Sequence, residues 1–304
     1  MSKIHEALKR AQEERSKVAA GADTDLPVAL QTLPPQVPPP VAAAQAVLPS
    51  MDPARVAVPG HYLRFEDLLQ QCAEPVWQPD PKAIVFSAAY GPAQGAEQFR
   101  RLRTRLYQMR DGAPLKRLLV TSAVAGEGKT FVVTNLAQAI ACERDRKVLL
   151  IDGDLRSARL HLPLGAPVSP GLAEYLRDEA SETEIIQHGQ AGNLCFIGAG
   201  KDVGANATEL LSNGRLPQLL DRIGYLFDWV IIDSPPCLPV ADASVLASFV
   251  DGLLLVVKAS STPSVIVQKA GQELQKWNVL GVVLNGVDES QGYNGYYAYS
   301  YGDD

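Results

Sequence analysis

The stretch RLLVTSAVAGEGKT, residues 117–130, carries three local signals in succession. Arg117–Ser122 is apolar on consecutive positions, as a strand buried on both faces should be. A loop with Gly126 and Gly128 follows, and Lys129-Thr130 then open a helix-like run. A strand, a glycine-containing loop and Lys-Thr at a helix start make a P-loop. Glycines let backbone N–H groups approach phosphate oxygens, and the helix N-terminus adds a partial positive charge. Lys129 would reach the β- and γ-phosphates, and Thr130 would offer its hydroxyl to Mg²⁺. The expected nucleotide cradle is therefore Ala125, Gly126, Glu127, Gly128, Lys129, Thr130 and Phe131. The usual pattern begins with Gly, and that position here is Ala123.

Further strand-length apolar runs follow at 147–151, 193–197, 228–232, 252–257 and 279–285, separated by segments long enough for crossover helices. This alternation predicts an α/β fold: a doubly wound, mostly parallel sheet of a P-loop NTPase, with helices on both faces. In such sheets ligands bind beyond the carboxyl ends of the strands. Two runs end there in acids, Val148–Ile151 in Asp152-Gly153-Asp154 and Val230–Ile232 in Asp233. Carboxylates at those ends can hold Mg²⁺ and its waters, so Thr130, Asp152 and Asp233 are the candidate metal set. Lys129, Asp152 and Asp233 should then converge on one bound nucleotide.

The ends of the 304-residue chain read differently. Residues 1–17 have Ile4, Ala7, Leu8 and Ala11 at helical spacing, a short amphipathic helix that is either a frayed terminus or a docking segment. Residues 18–81 are Pro/Ala-rich and read as a mostly disordered linker. The domain is expected at 82–288, and 289–304 form a flexible tyrosine-rich tail with Tyr293, Tyr296, Tyr297, Tyr299 and Tyr301. Net charge of −6 argues against nucleic-acid binding. Four scattered cysteines and four histidines give no disulfide framework or zinc spacing and suit a reducing cytosol. No apolar run approaches the roughly 18–20 residues of a membrane span, and the charged start lacks a signal-peptide core. A cytoplasmic location follows as the expectation.

Taken together, Gly-Lys129-Thr130, the apolar run into Asp152-Gly153-Asp154 with Arg156, and the run into Asp233-Ser234-Pro235-Pro236 resemble the Walker A, A′ and B motifs of bacterial tyrosine kinases. That family is built on a P-loop ATPase fold related to MinD and ParA. Glu97-Gln98-Phe99-Arg100-Arg101-Leu102-Arg103 is similar to its E-x-x-R-x-x-R segment, and the tyrosine-rich end fits as well. MSKIHEALKRAQ looks like the start of the standalone autokinases of exopolysaccharide and exosortase gene clusters. The resemblance implies an ATP- and Mg²⁺-dependent autokinase that phosphorylates its tail tyrosines in trans within a homo-oligomeric ring. Lys129, Asp152 and Asp154 would be catalytic, with Asp152 as base or metal-ordering acid. Glu97, Arg100 and Arg103 would form the subunit interface. Implied partners are a transmembrane polysaccharide co-polymerase that activates the kinase and recruits it to the inner face of the membrane, and a phosphotyrosine phosphatase. Ala125 and Ala207 stand where the family commonly has proline. Ala123 and Val124 occupy the positions where MinD/ParA-type loops carry a second lysine, which favours a kinase over a partitioning ATPase. A partitioning ATPase without kinase activity, or a nucleotide-binding scaffold displaying tyrosines to another kinase, are the competing readings.

Overall fold

A computed structural model describes residues 64–86, 95–112, 114–189, 192–203 and 206–287. The expected N-terminal helix and the tail tyrosines lie outside the described residues. In chain order the elements are α1 (Phe65–Gln71), α2 (Ala96–Arg110), β1 (Arg117–Ser122), α3 (Lys129–Ala141), β2 (Val148–Asp152), α4 (His161–Leu164), α5 (Leu172–Leu176), α6 (Glu182–Ile185), β3 (Ile186–His188), β4 (Leu194–Ile197), α7 (Ala207–Leu211), α8 (Arg215–Ile223), β5 (Trp229–Asp233), α9 (Asp242–Ala247), β6 (Gly252–Lys258), α10 (Ser264–Leu274) and β7 (Val279–Asn285).

The strands form one sheet in the order β3-β4-β2-β5-β1-β6-β7. Every pairing is parallel except β3 with β4. Consecutive apolar residues serve both faces because strand side chains alternate. Leu119, Leu149, Ile151, Val230, Ile232, Leu253 and Leu255 join α5, α8, α9 and α10 in one apolar layer. Leu118, Val120, Leu150, Ile231, Leu254 and Val256 join α2 and α3 in the other. All six runs read as strands are strands. Asp152 and Asp233 are the last residues of β2 and β5, rather than the first beyond them.

Two features depart from the sequence reading. The linker assigned to 18–81 ends too late. Within it lies α1, whose Phe65 and Leu68 are buried, with Phe65 edge-on to Phe227 at 5.4 Å between ring centroids. Beyond α1 the chain continues as a strap. His188 N–H donates to Ala73 O at 3.1 Å, and the Trp77 indole donates to Gln187 at 3.1 Å. Val85 N–H donates to the Asn135 side chain at 2.8 Å. Apolar anchors spaced through a Pro-rich stretch hold it down where composition alone opposes packing. The second feature is β3, three residues with a Gln and a His, too short for a periodic signal. It exists because the strap bridges to Gln187 on its outer side.

Candidate nucleotide and acid site

The loop from β1 to α3 is fixed from beneath. Gly126 and Gly128 have φ of 83° and 88°, the left-handed region where a Cβ is penalised. At Gly128 a Cβ would also collide with the side-chain amide of Asn285, which donates to Glu127 O at 2.9 Å. Glu127 points inward and is 1% exposed. Its carboxylate accepts Val124 N–H at 2.8 Å and the Thr262 hydroxyl at 2.6 Å. The side chain is thus spent on loop shape, leaving only its backbone for a ligand. Above this brace the thirteen-residue helix α3 starts at Lys129, and its first amides lack helical acceptors.

The two strand-end acids meet because β2 and β5 are adjacent and in register, Asp152 opposite Asp233. The Thr130 hydroxyl donates to Asp233 Oδ2 at 2.8 Å, which ties the helix start to the end of β5. Asp233 Oδ1 is buried with no hydrogen-bond partner among the described residues. Asp152 accepts Asp154 N–H at 3.2 Å and Leu160 N–H at 3.1 Å, one on each oxygen. Asp154 accepts Ser157 N–H at 3.0 Å. Lys129, Thr130, Asp152, Asp154 and Asp233 therefore share one region, and Lys129 acts electrostatically on Asp233.

Burial pushes the Asp233 carboxyl up to about 6, with Lys129 and the Thr130 hydroxyl pulling it down and Asp154 adding to the rise. Burial also raises Asp152 well above the carboxylate range, reinforced by the charge of Asp233 and opposed by the Leu160 amide. Like charges packed together without water favour a proton or a cation. The described residues contain no cluster of three acid, His or Cys side chains forming a self-contained metal site. The donor set fits Mg²⁺ nonetheless. It consists of one hydroxyl, a carboxylate with an orphaned oxygen and a second acid alongside, and Mg²⁺ typically takes one or two carboxylates plus waters and substrate phosphates.

Three contributors escaped the sequence reading. Arg156 grips Asp242 with two bonds, Nε to Oδ2 at 2.7 Å and Nη2 to Oδ1 at 3.2 Å. Asp242 is fully buried, and Thr208 bonds both partners. This ion pair anchors the loop after β2 to α7 and α9. No motif marks Asp242, which sits in an ordinary helix start. Asn285 and Thr262 brace the P-loop. A polar residue ending the apolar run of β7 was the one available signal for Asn285.

The row Glu97, Arg100 and Arg103 is not a single face. Six residues advance the helix to a position about 120° round from the start. Glu97 stays outside and pairs with Arg100 at 3.4 Å and Arg101 at 3.6 Å. Arg103 turns inward, donating to Ala139 O at 2.6 Å and pairing with Glu143 at 3.2 Å, with its side chain only 18% exposed. It caps the C-terminal end of α3, where a cation is favourable.

Comparison with known proteins agrees with this geometry. An AAA domain model matches residues 116–264. The chain is 38% identical over 209 residues to the tyrosine-protein kinase Etk of Escherichia coli K12, covering 68% of this chain and 28% of that protein. It is 34% identical over 193 residues to the tyrosine-protein kinase YwqD of Bacillus subtilis 168, covering 63% of this chain and 81% of that one. The solved kinase domain of the E. coli tyrosine kinase ETK superposes with a TM-score of 0.64 at 35% identity, over 77% of this chain and 89% of that one. The chain thus spans under a third of the length of Etk and most of that of YwqD.

Proposed function

The chain belongs to the bacterial tyrosine-protein kinase family, and from that premise we propose that it is an ATP-dependent autokinase of its own tyrosine-rich tail. The observation that carries the reading is the junction of Thr130 with Asp233 beside the in-register Asp152, directly under the start of α3. In P-loop kinases and ATPases that junction is where the terminal phosphate and its metal sit.

ATP is the phosphoryl donor. The amides of Gly126–Lys129 and the Lys129 ammonium would hold its phosphates, and Thr130 with Asp233 would hold Mg²⁺, which would supply neutralisation of phosphate charge. A tail tyrosine oxygen forms the new O–P bond, the bond to the β-phosphate oxygen breaks, and ADP leaves. Free tyrosine ionises near pH ~10, so its hydroxyl is a poor nucleophile at neutral pH. Asp152 has a raised proton affinity that suits it to take the tyrosine proton. Asp154, 9% exposed, is the second acid at the mouth.

The domain is bounded by the described core and the tail at 289–304. Partner subunits in a ring present the tail in trans, with Glu97 and Arg100 of α2 outward-facing and available to a neighbour. No helix among the described residues is long and apolar enough to cross a membrane. The reading therefore includes a transmembrane activator of polysaccharide export that recruits the kinase to the inner face of the membrane, opposed by a phosphotyrosine phosphatase. Incubating the purified chain with Mg-ATP and mapping phosphotyrosine by mass tests the core of this. Signal at Tyr293, Tyr296, Tyr297, Tyr299 or Tyr301, lost in Lys129→Met and Asp152→Asn, is expected. ATP turnover without phosphotyrosine, even with the activator's cytoplasmic segment supplied, would overturn it.

A further inference from the structure

β7 is the outermost strand on its side of the sheet. Its outward backbone groups have no strand partner among the described residues. Natural edges are usually blunted by charge, proline or cover, and VLGVVLN has neither charge nor proline. Four of the nine large apolar side chains most exposed among the described residues lie on β7 or just past its end: Val279, Val282, Leu284 and Val287. The register makes the anomaly specific. Val282 stands beside Leu255 and Leu284 beside Val257, on the same face. In β6 these neighbours are 3% and 5% exposed, whereas in β7 Val282 and Leu284 are 53% and 62% exposed. The helix layer over β6 stops short of β7. Among the described residues, one sheet edge is thus left with both its hydrogen-bonding groups and one apolar face uncovered.

We propose that this edge is the docking site of the chain's own tail, with Tyr297–Tyr301 adding as an eighth, antiparallel strand. The chemistry matches on both counts. A sheet edge takes an extended segment that supplies backbone donors and acceptors, which a helix cannot do. In Tyr297-Ala298-Tyr299-Ser300-Tyr301 aromatic residues alternate with small ones, the period of a strand with one apolar face. Three tyrosines on that face cover Val282 and Leu284, while Ala298 and Ser300 face the other way. Connectivity favours this occupant over a second copy. The described chain reaches Val287, just past the end of β7, and residues 286–296 are ample for a reversal. A tethered segment has an effective concentration in the millimolar range.

The direction has a consequence. Asn285, at the end of β7, contacts the P-loop, so the tail leaves β7 beside the nucleotide cradle. A strand laid back along β7 carries its tyrosines away from that cradle. Docking therefore withholds the tyrosines. A phosphate of about −1.5 to −2 charge on that face would be set against valine and leucine and would eject the strand. This last step rests on the kinase reading, whereas the docking does not.

Amide hydrogen exchange on the full chain carrying Lys129→Met, which excludes self-modification, tests the docking alone. Amides 298–301 are expected to exchange at least tenfold slower than in an unstructured peptide, equally at low and high micromolar protein. Adding Val282→Lys and Leu284→Lys should return them to unstructured rates while β1 and β5 amides stay protected. Should Lys129→Met impair folding, phosphatase-treated wild-type chain serves in its place. Tail amides at unstructured rates overturn the proposal. So does protection that grows with concentration, which would assign the edge to a second copy, and so does protection that survives both lysines.

Discussion

At the scale of single residues, the site is a set of groups that would be more stable arranged otherwise. Asp233 holds a carboxylate in full burial with one oxygen unbonded, next to Asp152. Its affinity for a proton is raised in the folded chain, to about 6. A raised acid stabilises the fold fully below its unfolded-state value, and that contribution is lost as pH climbs through the folded value. Asp233→Asn removes the charge and keeps an acceptor for Thr130. Without Mg²⁺ and nucleotide, the variant should match wild type near pH 4. By pH 7 it should be more stable by about 1–2 kcal/mol, read as a widening gap in Tm. Phosphotyrosine formation should vanish. Equal Tm curves across that range would show that the acid is not strained. Gly128 is the opposite case, a residue with no alternative. Gly128→Ala combines a φ of 88° with a clash against Asn285. A cost of about 2 kcal/mol and loss of fluorescent-nucleotide binding are expected. Asn285→Ala in the same chain should recover part of the stability, since it removes the clash and leaves the φ.

At the scale of elements, the site is held by links between them rather than by any one. Thr130 joins α3 to β5, Asn285 joins β7 to the P-loop, and Arg156 joins the loop after β2 to α9 through Asp242. The last link predicts that Asp242→Asn loosens the Asp152–Asp154 segment. Arg156 is 31% exposed, so the loss in stability should be modest, about 1–2 kcal/mol. The fall in kcat should be larger than any rise in KM for ATP, because phosphate binding by the P-loop is untouched. An equal effect on both would make the pair purely structural. These links also mark where sequence stops being informative. The six long strands were legible because burial on both faces leaves a run of apolar residues, and the acids because they interrupt such runs. Asp242 and Thr262 were not, since a polar residue at a helix start or in a loop has many ordinary reasons to be there. β3 was missed because the strap holds it, through Ala73 and Trp77, and α1 because burial of Phe65 against Phe227 holds it, neither resting on local periodicity.

At the scale of the whole molecule, the helix that starts at Lys129 is tied at its far end to the outer helix that carries Glu97 and Arg100. α3 carries Lys129 at one end and receives Arg103 of α2 at the other, through Ala139 O and Glu143. Arg103 therefore couples the outer helix to the helix that holds the phosphates, while Glu97 and Arg100 remain at the surface. Two classes of variant should separate on that basis. Charge reversal at Arg100, whose partner Glu97 is exposed, should leave folding stability within about 0.5 kcal/mol of wild type and weaken self-association measured by sedimentation. Arg103→Ala should instead cost about 1–3 kcal/mol, by leaving the helix-end carbonyl of Ala139 without its donor and Glu143 with Arg146 as its remaining cation. Its effect on assembly should only follow from that loss. The tail supplies a second lever on the same equilibrium. Each added phosphate brings about −1.5 to −2 charges beside Asp303 and Asp304 in a chain already at −6. If copies assemble as proposed, tails brought close together would repel one another. The fully phosphorylated chain should sediment as smaller species than the phosphatase-treated chain, and the difference should shrink in high salt as screening shortens the range of repulsion. A shift that salt leaves unchanged would mean that the phosphates act by local displacement at a contact, rather than through the summed charge of the assembly.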